Sequence, residues 1–171
     1  MNREIRFFDY EQCYRYYSKG IEGVRQKRIN GETIVAKPVL MVAIIDGIDA
    51  NVFMNNQFVL NDWIEERYKK LMMQFTKNSQ FDGTTGIEKP FWHLNYQGEQ
   101  LGKSHTPSKA WLKDNVEFAY FDEPLWIMLQ SKVWRTKLRE YIIEHKLTDG
   151  FWNGKIAADG LGILVALLLA A

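Results

Sequence analysis

Residues 37–48 read KPVLMVAIIDGI, and this stretch decides between a helical and a β-rich chain. Pro38 suits the first helical position, because its fixed φ is already helical and its missing N–H would have no partner there. The residues that follow are apolar on nearly all sides, which is typical of a helix buried in a core. The pattern therefore predicts a core helix. A buried strand is the alternative, since Val42 and Ile44 are among several β-branched residues in the run.

Helical patterns also occur on both sides of this stretch. Residues 9–19 place aromatic residues on one helix face, with Asp9 as a cap, and Asn61 suits the cap of a helix from Asp62 to Phe75. Another helix is predicted from Ser131 to His145. The side chains expected to face inward are Tyr10, Tyr14, Tyr17, Trp63, Ile64, Tyr68, Leu71, Phe75, Val133, Trp134, Leu138, Tyr141 and Ile142.

Short strands are expected between these helices. Phe91–Tyr96 is rich in aromatic residues and is followed by a turn at Gln97-Gly98, and Val116–Phe121 alternates like an edge strand. Asp122 suits the cap of a short helix that begins at Pro124. The remaining connectors, 20–36, 51–60 and 76–89, are predicted as turns or loops, with a hairpin as the alternative for 51–60.

These elements together predict an α+β fold: a mainly helical single domain with short β-strands, winged-helix-like, over residues 1–150. Residues 151–171 form an apolar C-terminal tail. Eleven of its residues, 161–171, would span about 16 Å as a helix, roughly half a bilayer core, so a membrane-spanning helix is not expected. A buried terminal helix and an interface in a homodimer are both open. No secretory signal is recognisable in residues 1–19, so we expect a cytoplasmic protein.

Composition excludes several classes of protein. The chain has 171 residues, 46% of them hydrophobic and 14% aromatic, which argues against intrinsic disorder. A single cysteine, Cys13, cannot form a disulfide framework or a multi-cysteine zinc site. The net charge of +1 hides two basic segments, 19–37 and 101–113. A nucleic-acid-binding face is therefore possible, because it needs local rather than global positive charge.

No catalytic pattern is recognisable. The histidines, His93, His105 and His145, lack metal-ligand spacing, and no phosphate-binding glycine loop or nucleophile elbow occurs. Asp46 and Asp49 are three residues apart, and we interpret them as a solvated pair at a helix end rather than a catalytic dyad. We therefore predict a binding protein that is not an enzyme and that uses no metal and no cofactor.

The segments KPVLMVAIIDGI (37–48), the helix over 63–75 and KPFWHLNYQG (89–98), in this order, resemble a known family. They are similar to the N-terminal sulfur-binding domain of HNH restriction endonucleases that recognise phosphorothioate-modified DNA, over about residues 15–147. The resemblance implies a bacterial protein that binds double-stranded DNA in which sulfur replaces one non-bridging phosphate oxygen. Relatives often carry a C-terminal HNH nuclease domain, and no HNH motif follows Lys146, so we expect either a stand-alone reader or one that is joined to or partnered with a nuclease.

The resemblance also implies which residues form the site. In that family the sulfur lies in an apolar cup around a proline and an alanine three residues later, and Pro107 and Ala110 match this spacing. Thr106 stands where some members have a larger aromatic residue. His93 and Asn95 follow the PFW motif, and Asn95 replaces an arginine of some relatives.

Elementary chemistry favours the same arrangement. Sulfur is larger and less well hydrated than oxygen, so its recognition needs apolar surface, here Pro107, Ala110 and the Cβ of Ser108. The remaining oxygens need donors or positive charge, which the free N–H groups at a helix start could supply. The full set of predicted DNA-binding residues is Arg25, Arg28, Lys37, His93, Asn95, Tyr96, Lys103, Ser104, His105, Thr106, Pro107, Ser108, Lys109, Ala110 and Lys113. Among these, Asn95, Tyr96, Ser104 and His105 are the candidates for contacts with bases.

Simpler interpretations stay open for each of these residues. Thr106 and Pro107 could be only the cap and first residue of a helix, and the lysines could be a solvated face. Arg25, Arg28 and Lys37 could serve solubility alone. At the level of function, the alternatives are a protein-interaction module and an ordinary winged-helix-like DNA binder without sulfur selectivity.

Overall fold

Helices make up most of the residues that the computed structural model describes, which are 6–24, 26, 28–29, 32–76, 85–98 and 107–147. For 28–29, 32–33 and 95–98 the description is of the backbone. Within these ranges the elements are α1 (Tyr10–Glu22), β1 (Arg28–Ile29), β2 (Glu32–Thr33), α2 (Ala36–Asp49), α3 (Asp62–Phe75), α4 (Glu88–Phe91), β3 (Asn95–Gly98), α5 (Lys109–Asn115), β4 (Val116–Tyr120), α6 (Glu123–Gln130) and α7 (Lys132–Ile142), followed by a π-helical turn (Ile143–Leu147).

Helix α2 is the centre of the core, as its sequence predicts. Val39, Val42 and Ala43 are fully buried, and the helix packs against α3, α4, α6, α7 and the π-helical turn. The strand alternative is wrong. The helix begins at Ala36, two residues before the predicted start. Pro38 is still tolerated there, because the N–H groups of the first helical turn have no partner within the helix.

Two predicted helix starts are confirmed by their cap hydrogen bonds. Asp9 Oδ1 accepts from the backbone N–H of Gln12 at 2.8 Å, and Asn61 Oδ1 accepts from the N–H of Ile64 at 3.0 Å. Helix α3 has the predicted bounds. Helix α1 extends to Glu22, so the connector after it begins later than predicted.

The predicted strand Phe91–Tyr96 is wrong. Phe91 closes the helical turn α4, in which its N–H donates to Ile87 O at 3.0 Å, and β3 begins only at Asn95. Phe91 and Trp92 are both buried in the core, so their packing overrides the β propensity of aromatic residues. The turn predicted at Gln97-Gly98 is part of β3 instead.

As predicted, β4 is an edge strand: it forms a two-stranded sheet with β3, and one isolated β-bridge lies on its other side. It pairs antiparallel with β3, and on its other side Ala119 exchanges two backbone hydrogen bonds with Phe58, at 2.7 and 2.9 Å. The pairing shifts register between Gln97 and Gly98, which interrupts the simple alternation of buried and exposed residues along β4. Phe58 belongs to the 51–60 segment, so that segment is a loop rather than a hairpin.

The helices near the C-terminal end need two corrections. Val133 is 66% exposed rather than inward, because Trp134, Leu138 and Ile142 already fill the face of α7 that meets the core. Asp122 occupies the cap position of α6 but makes no cap bond, and its Oδ2 accepts from Tyr17 Oη at 3.1 Å instead.

One acidic residue cross-links three helices, contrary to its predicted solvation. Asp46 accepts from Arg67 Nε at 2.7 Å and from Arg139 Nε at 2.6 Å, and its side chain is only 11% exposed. We call Asp46, Arg67 and Arg139 the Asp46 cluster; it joins α2, α3 and α7. Asp49, whose side chain is 57% exposed, is solvated as predicted, although it also pairs with Arg135 at 2.7 Å.

The described residues share one hydrophobic core, as expected for a mainly helical single domain. The predicted boundary at residue 150 and the apolar tail 151–171 lie outside the described residues. No helix within the described ranges is long and apolar enough to span a membrane.

Candidate nucleic-acid interface

The start of α5 differs from its prediction by two residues. Ser108 has an extended backbone, and its Oγ accepts from the N–H of Trp111 at 3.1 Å, so the helix begins at Lys109. The predicted cap at Thr106 and first helical position at Pro107 are wrong. Serine is the better cap. Pro107 lies one residue before this cap and is outside the helix.

The geometry does not support the predicted phosphate site at this helix start. Helix α5 has only seven residues, and Ser108 Oγ already accepts one of its first N–H groups. The helix dipole acts mainly in the first turn and is small in so short a helix. Recognition of a phosphate at α5 would have to depend on side chains.

Apolar surface is present where the resemblance predicts it. Pro107 is half-buried, and Ser108 and Ala110 are exposed. With Pro107 before the cap and Ala110 in the first turn of α5, the predicted cup would lie across the helix start rather than inside the helix. The residues predicted to contact sulfur are therefore accessible.

The two lysines of α5 share one carboxylate. Lys109 Nζ lies 2.8 Å from Glu65 Oε2, and Lys113 Nζ forms an ion pair with Glu65 Oε1. We call Glu65, Lys109 and Lys113 the Glu65 cluster; it joins α3 to α5. The lysines reach the same partner because residues four apart lie on one face of a helix.

The ion pairs of this cluster shift the pKa values of Glu65 and Lys109. Burial raises the pKa of Glu65, but hydrogen bonds from Lys109 and Lys113 and their charges outweigh it, so that the pKa lies below its ordinary value. The hydrogen bond with Glu65 raises the pKa of Lys109, helped by the negative charges of Glu88 and Asp62. Glu65 and Lys109 are therefore charged at neutral pH.

His93 lies beside α5 through an aromatic contact. Trp92 is buried and meets Trp111 of α5 edge-on, with ring centroids 5.9 Å apart. His93, the next residue, is exposed. The backbone at His93 therefore lies near α5. We call the described residues at the start and along α5 that were predicted to bind DNA the α5 face: Pro107, Ser108, Lys109, Ala110 and Lys113.

The predicted base-reading residues on β3 lie further away. Gly98 pairs with Val116, directly after α5, whereas Asn95 pairs with Tyr120 at the other end of β4. Four residues of strand separate these pairs by about 13 Å. Tyr96, opposite Ala119, is nearly as distant. Contacts from Asn95 and the α5 face would therefore fall on different nucleotides.

The other predicted site residues are only partly described. Arg25, Lys103, Ser104, His105 and Thr106 lie outside the described residues, and Arg28 is described by its backbone in β1 alone. Lys37 is exposed in the first turn of α2, a helix that packs against α4.

Two residues that contact the α5 face or its surroundings, Trp111 and Glu65, were not predicted from the sequence. Trp111 could have been noticed as an aromatic residue inside the basic segment 101–113. Glu65 could not, because 44 positions separate it from Lys109 and nothing in the sequence pairs them.

The described residues offer little else that is chemically reactive. Burial raises the pKa of Cys13 to about 11, so its thiol is protonated at neutral pH. His145 stacks on Tyr141 at 4.0 Å, and its Nδ1 lies 2.9 Å from Tyr141 O. Within the described ranges, no three side chains of His, Cys, Asp or Glu lie where they could hold a metal ion together.

Comparison with known proteins gives no relative. No protein-family model matches the chain, and no curated protein matches it significantly. A function for this chain therefore has to be inferred from its residues.

Proposed function

We propose that this chain binds phosphorothioate-modified double-stranded DNA through the α5 face and catalyses no reaction itself. The observation that supports this most is that exposed Ser108 and Ala110 and half-buried Pro107 lie next to the two lysines of α5. Apolar surface beside positive charge is what a sulfur-bearing phosphate requires, because the group is both poorly hydrated and anionic.

The sulfur contact alone supplies limited selectivity. At about 25 cal/mol per Å² of apolar area, one sulfur atom contributes on the order of 1–2 kcal/mol, roughly a tenfold change in affinity. Contacts with the backbone and bases of the DNA must supply the rest of the affinity. Lys109 and Lys113 are the basic side chains of the α5 face that would make the contacts with phosphate.

The biological setting belongs to the same proposal. A sulfur-specific DNA reader would act in the cytoplasm of a bacterium as part of a restriction system, with a nuclease as partner or further domain. A winged-helix-like arrangement of α5 and the β3–β4 pair, and a homodimer formed through residues 151–171, are further parts of it. The bacterial setting, the restriction system and the nuclease are what the resemblance implies, whereas the fold and the homodimer rest on the sequence pattern.

A protein-interaction module is the second candidate, and one observation favours it. Phe8 is 98% exposed and Tyr16 51% exposed, and the Phe7 and Tyr16 rings are 5.3 Å apart. Such exposed aromatic side chains at the start of α1 are typical of surfaces that bind another protein.

Binding to matched duplexes tests the proposal. We would measure fluorescence anisotropy with duplexes that carry one Rp phosphorothioate in each possible dinucleotide context, and with the same duplexes unmodified. Tighter binding of at least one modified duplex, by tenfold or more, is expected. Equal affinity in all contexts would refute sulfur recognition, and no binding to any duplex would favour the interaction module.

Pro107→Ala tests the assignment of the cup. The substitution removes apolar ring surface, so the affinity for modified DNA should fall about three- to tenfold while that for unmodified DNA changes less than about twofold. Pro124→Ala at the start of α6 is the control, because it makes the same chemical change away from α5. An unchanged ratio of the two affinities for Pro107→Ala would show that the sulfur is bound elsewhere.

A further inference from the structure

The carboxylate of Glu65 already occupies both lysines of the α5 face. Its Oε2 accepts from Lys109 at 2.8 Å, and its Oε1 pairs with Lys113. Any phosphate that binds these lysines must therefore displace Glu65 or share them with it. We propose that Glu65 is an internal competitor for DNA phosphate, which keeps binding weak enough for one sulfur atom to decide whether DNA is bound. This inference rests on the proposed function.

The position of Glu65 suits it for competition. It lies in the first turn of α3, where its N–H donates to Asn61 O at 3.2 Å, and its side chain is 20% exposed. The lysines are more accessible, at 48% for Lys109 and 37% for Lys113. The carboxylate is thus held by the fold, while the ammonium groups can turn toward a ligand in solvent.

The surrounding charges reinforce the competition. Asp62 and Glu88 act on Lys109 in the same direction as Glu65, as the raised pKa of Lys109 indicates. Three carboxylates thus act on Lys109, and Glu65 also pairs with Lys113, so the lysines attract a distant polyanion only weakly. Sequence-independent binding to DNA comes almost entirely from such attraction.

Weak electrostatic attraction for all DNA favours discrimination when the contact with sulfur contributes little binding energy. A tenfold difference in affinity produces a difference in occupancy only if the two dissociation constants lie on either side of the working concentration. Strong lysine–phosphate contacts would saturate modified and unmodified DNA alike. Glu65 would prevent this by lowering both affinities together.

Glu65→Gln tests the competition, because glutamine keeps the shape of the side chain and removes its charge. Affinity for both modified and unmodified duplexes should rise roughly fivefold at low salt, as expected for one partly exposed ion pair. The dependence of log K on log salt concentration should become steeper by up to about 0.9, since no freed carboxylate then takes up a cation.

Glu66→Gln is the matched control. Glu66 is the next residue of the same helix, pairs with Lys70 at 3.6 Å, and is 62% exposed. Its substitution changes the net charge equally but leaves the α5 lysines paired, so affinity should change less than about twofold. Glu65→Asp, which keeps the charge but shortens the reach, should give a smaller gain than Glu65→Gln and serves if that variant does not fold.

A double-mutant cycle locates the effect. In a chain that also carries Lys109→Ala and Lys113→Ala, Glu65→Gln should change affinity less than about twofold, because no lysine is left to release. Circular dichroism and thermal unfolding of each variant confirm that the fold is kept. An equal gain without the lysines would overturn the competition.

The outcomes separate this inference from the proposed function. If the parent chain prefers the modified duplex but folded Glu65→Gln gains no affinity, competition by Glu65 is wrong and sulfur recognition stands. If the parent shows no preference for sulfur but Glu65→Gln alone gains duplex binding, competition stands and sulfur recognition is wrong. If neither protein binds any duplex, both are wrong.

Discussion

The Asp46 and Glu65 clusters have the same charges but different partners and surroundings. Each has one carboxylate between two basic side chains. In the Asp46 cluster the carboxylate is 11% exposed and its arginine partners are 28% and 16% exposed. In the Glu65 cluster the carboxylate is 20% exposed and the lysines are 48% and 37% exposed.

The type and exposure of the basic side chains determine which cluster can exchange its ion pairs for a ligand. Arginine presents a planar fork of donors that holds a carboxylate in one orientation, whereas lysine is a mobile point charge on a flexible stem. The arginines cross-link three helices of the core, and removal of their partner would leave two charges with little solvent. The lysines can leave Glu65 for water or phosphate at small cost. We therefore assign stability to the Asp46 cluster and ligand exchange to the Glu65 cluster.

Asp46→Asn should have the largest effect on stability. The substitution leaves Arg67 and Arg139 without their shared counter-charge, and loss of one partner from a mostly buried pair costs about 3 kcal/mol of the free energy of unfolding. Urea denaturation followed by circular dichroism measures this. Asp49→Asn is the control, because Asp49 is 57% exposed and Arg135 keeps its hydrogen bonds to Leu129 O and Gln130 O, so the loss should be less than about 1 kcal/mol. Equal losses for both variants would refute the contrast between the clusters.

Gly47→Ala should have the next largest effect, because the residue after Asp46 lies in the same closely packed region. A Cβ there would lie 2.6 Å from ring atoms of Phe53 and 3.1 Å from Trp63. The clash should cost about 1–3 kcal/mol, less about 1 kcal/mol gained from the better helix propensity of alanine. Gly20→Ala in α1 meets no atom within 4 Å and should stabilise the protein. Stabilisation by both substitutions would mean that Phe53 gives way easily.

The sequence predicts the Asp46 side of the molecule better than the Glu65 side. Helix α2 and the bounds of α3 follow from local signals, an all-round apolar run and an asparagine cap, and both are confirmed. Phe91 was misassigned because its burial in the core, rather than its β propensity, determines its backbone.

The sequence could not predict which charged side chains pair with one another across the fold. Asp46 meets Arg139 across 93 positions and Glu65 meets Lys109 across 44, and charged residues at such separations carry no periodic signal. The start of α5 was misplaced for a more local reason, since threonine and serine both occur before the helix and either can cap it. The sequence thus predicted Lys109 and Lys113 as site residues but did not predict that Glu65 pairs with them.

The smallest predicted effect is the pH dependence that the Glu65 cluster gives to stability. The pKa of Glu65 is lowered in the folded protein, so its contribution is complete above the ordinary carboxyl pKa and is lost as the pH falls through the lower, folded value. The parent chain should therefore exceed Glu65→Gln in free energy of unfolding by less than about 1 kcal/mol at neutral pH. The difference should fade as the pH falls below the ordinary carboxyl pKa and through the lowered pKa of Glu65.

Urea denaturation of the two proteins across this range measures the difference, and Glu66→Gln supplies the same loss of charge elsewhere on α3. A difference that stays constant while the carboxylates of the protein are protonated by acid would mean that Glu65 acts through packing and not through its charge. A neutral-pH difference as large as that for Asp46→Asn would also contradict exchange, because lysines bound so firmly to Glu65 would not be released to a phosphate. A small, acid-sensitive difference is what a displaceable competitor requires.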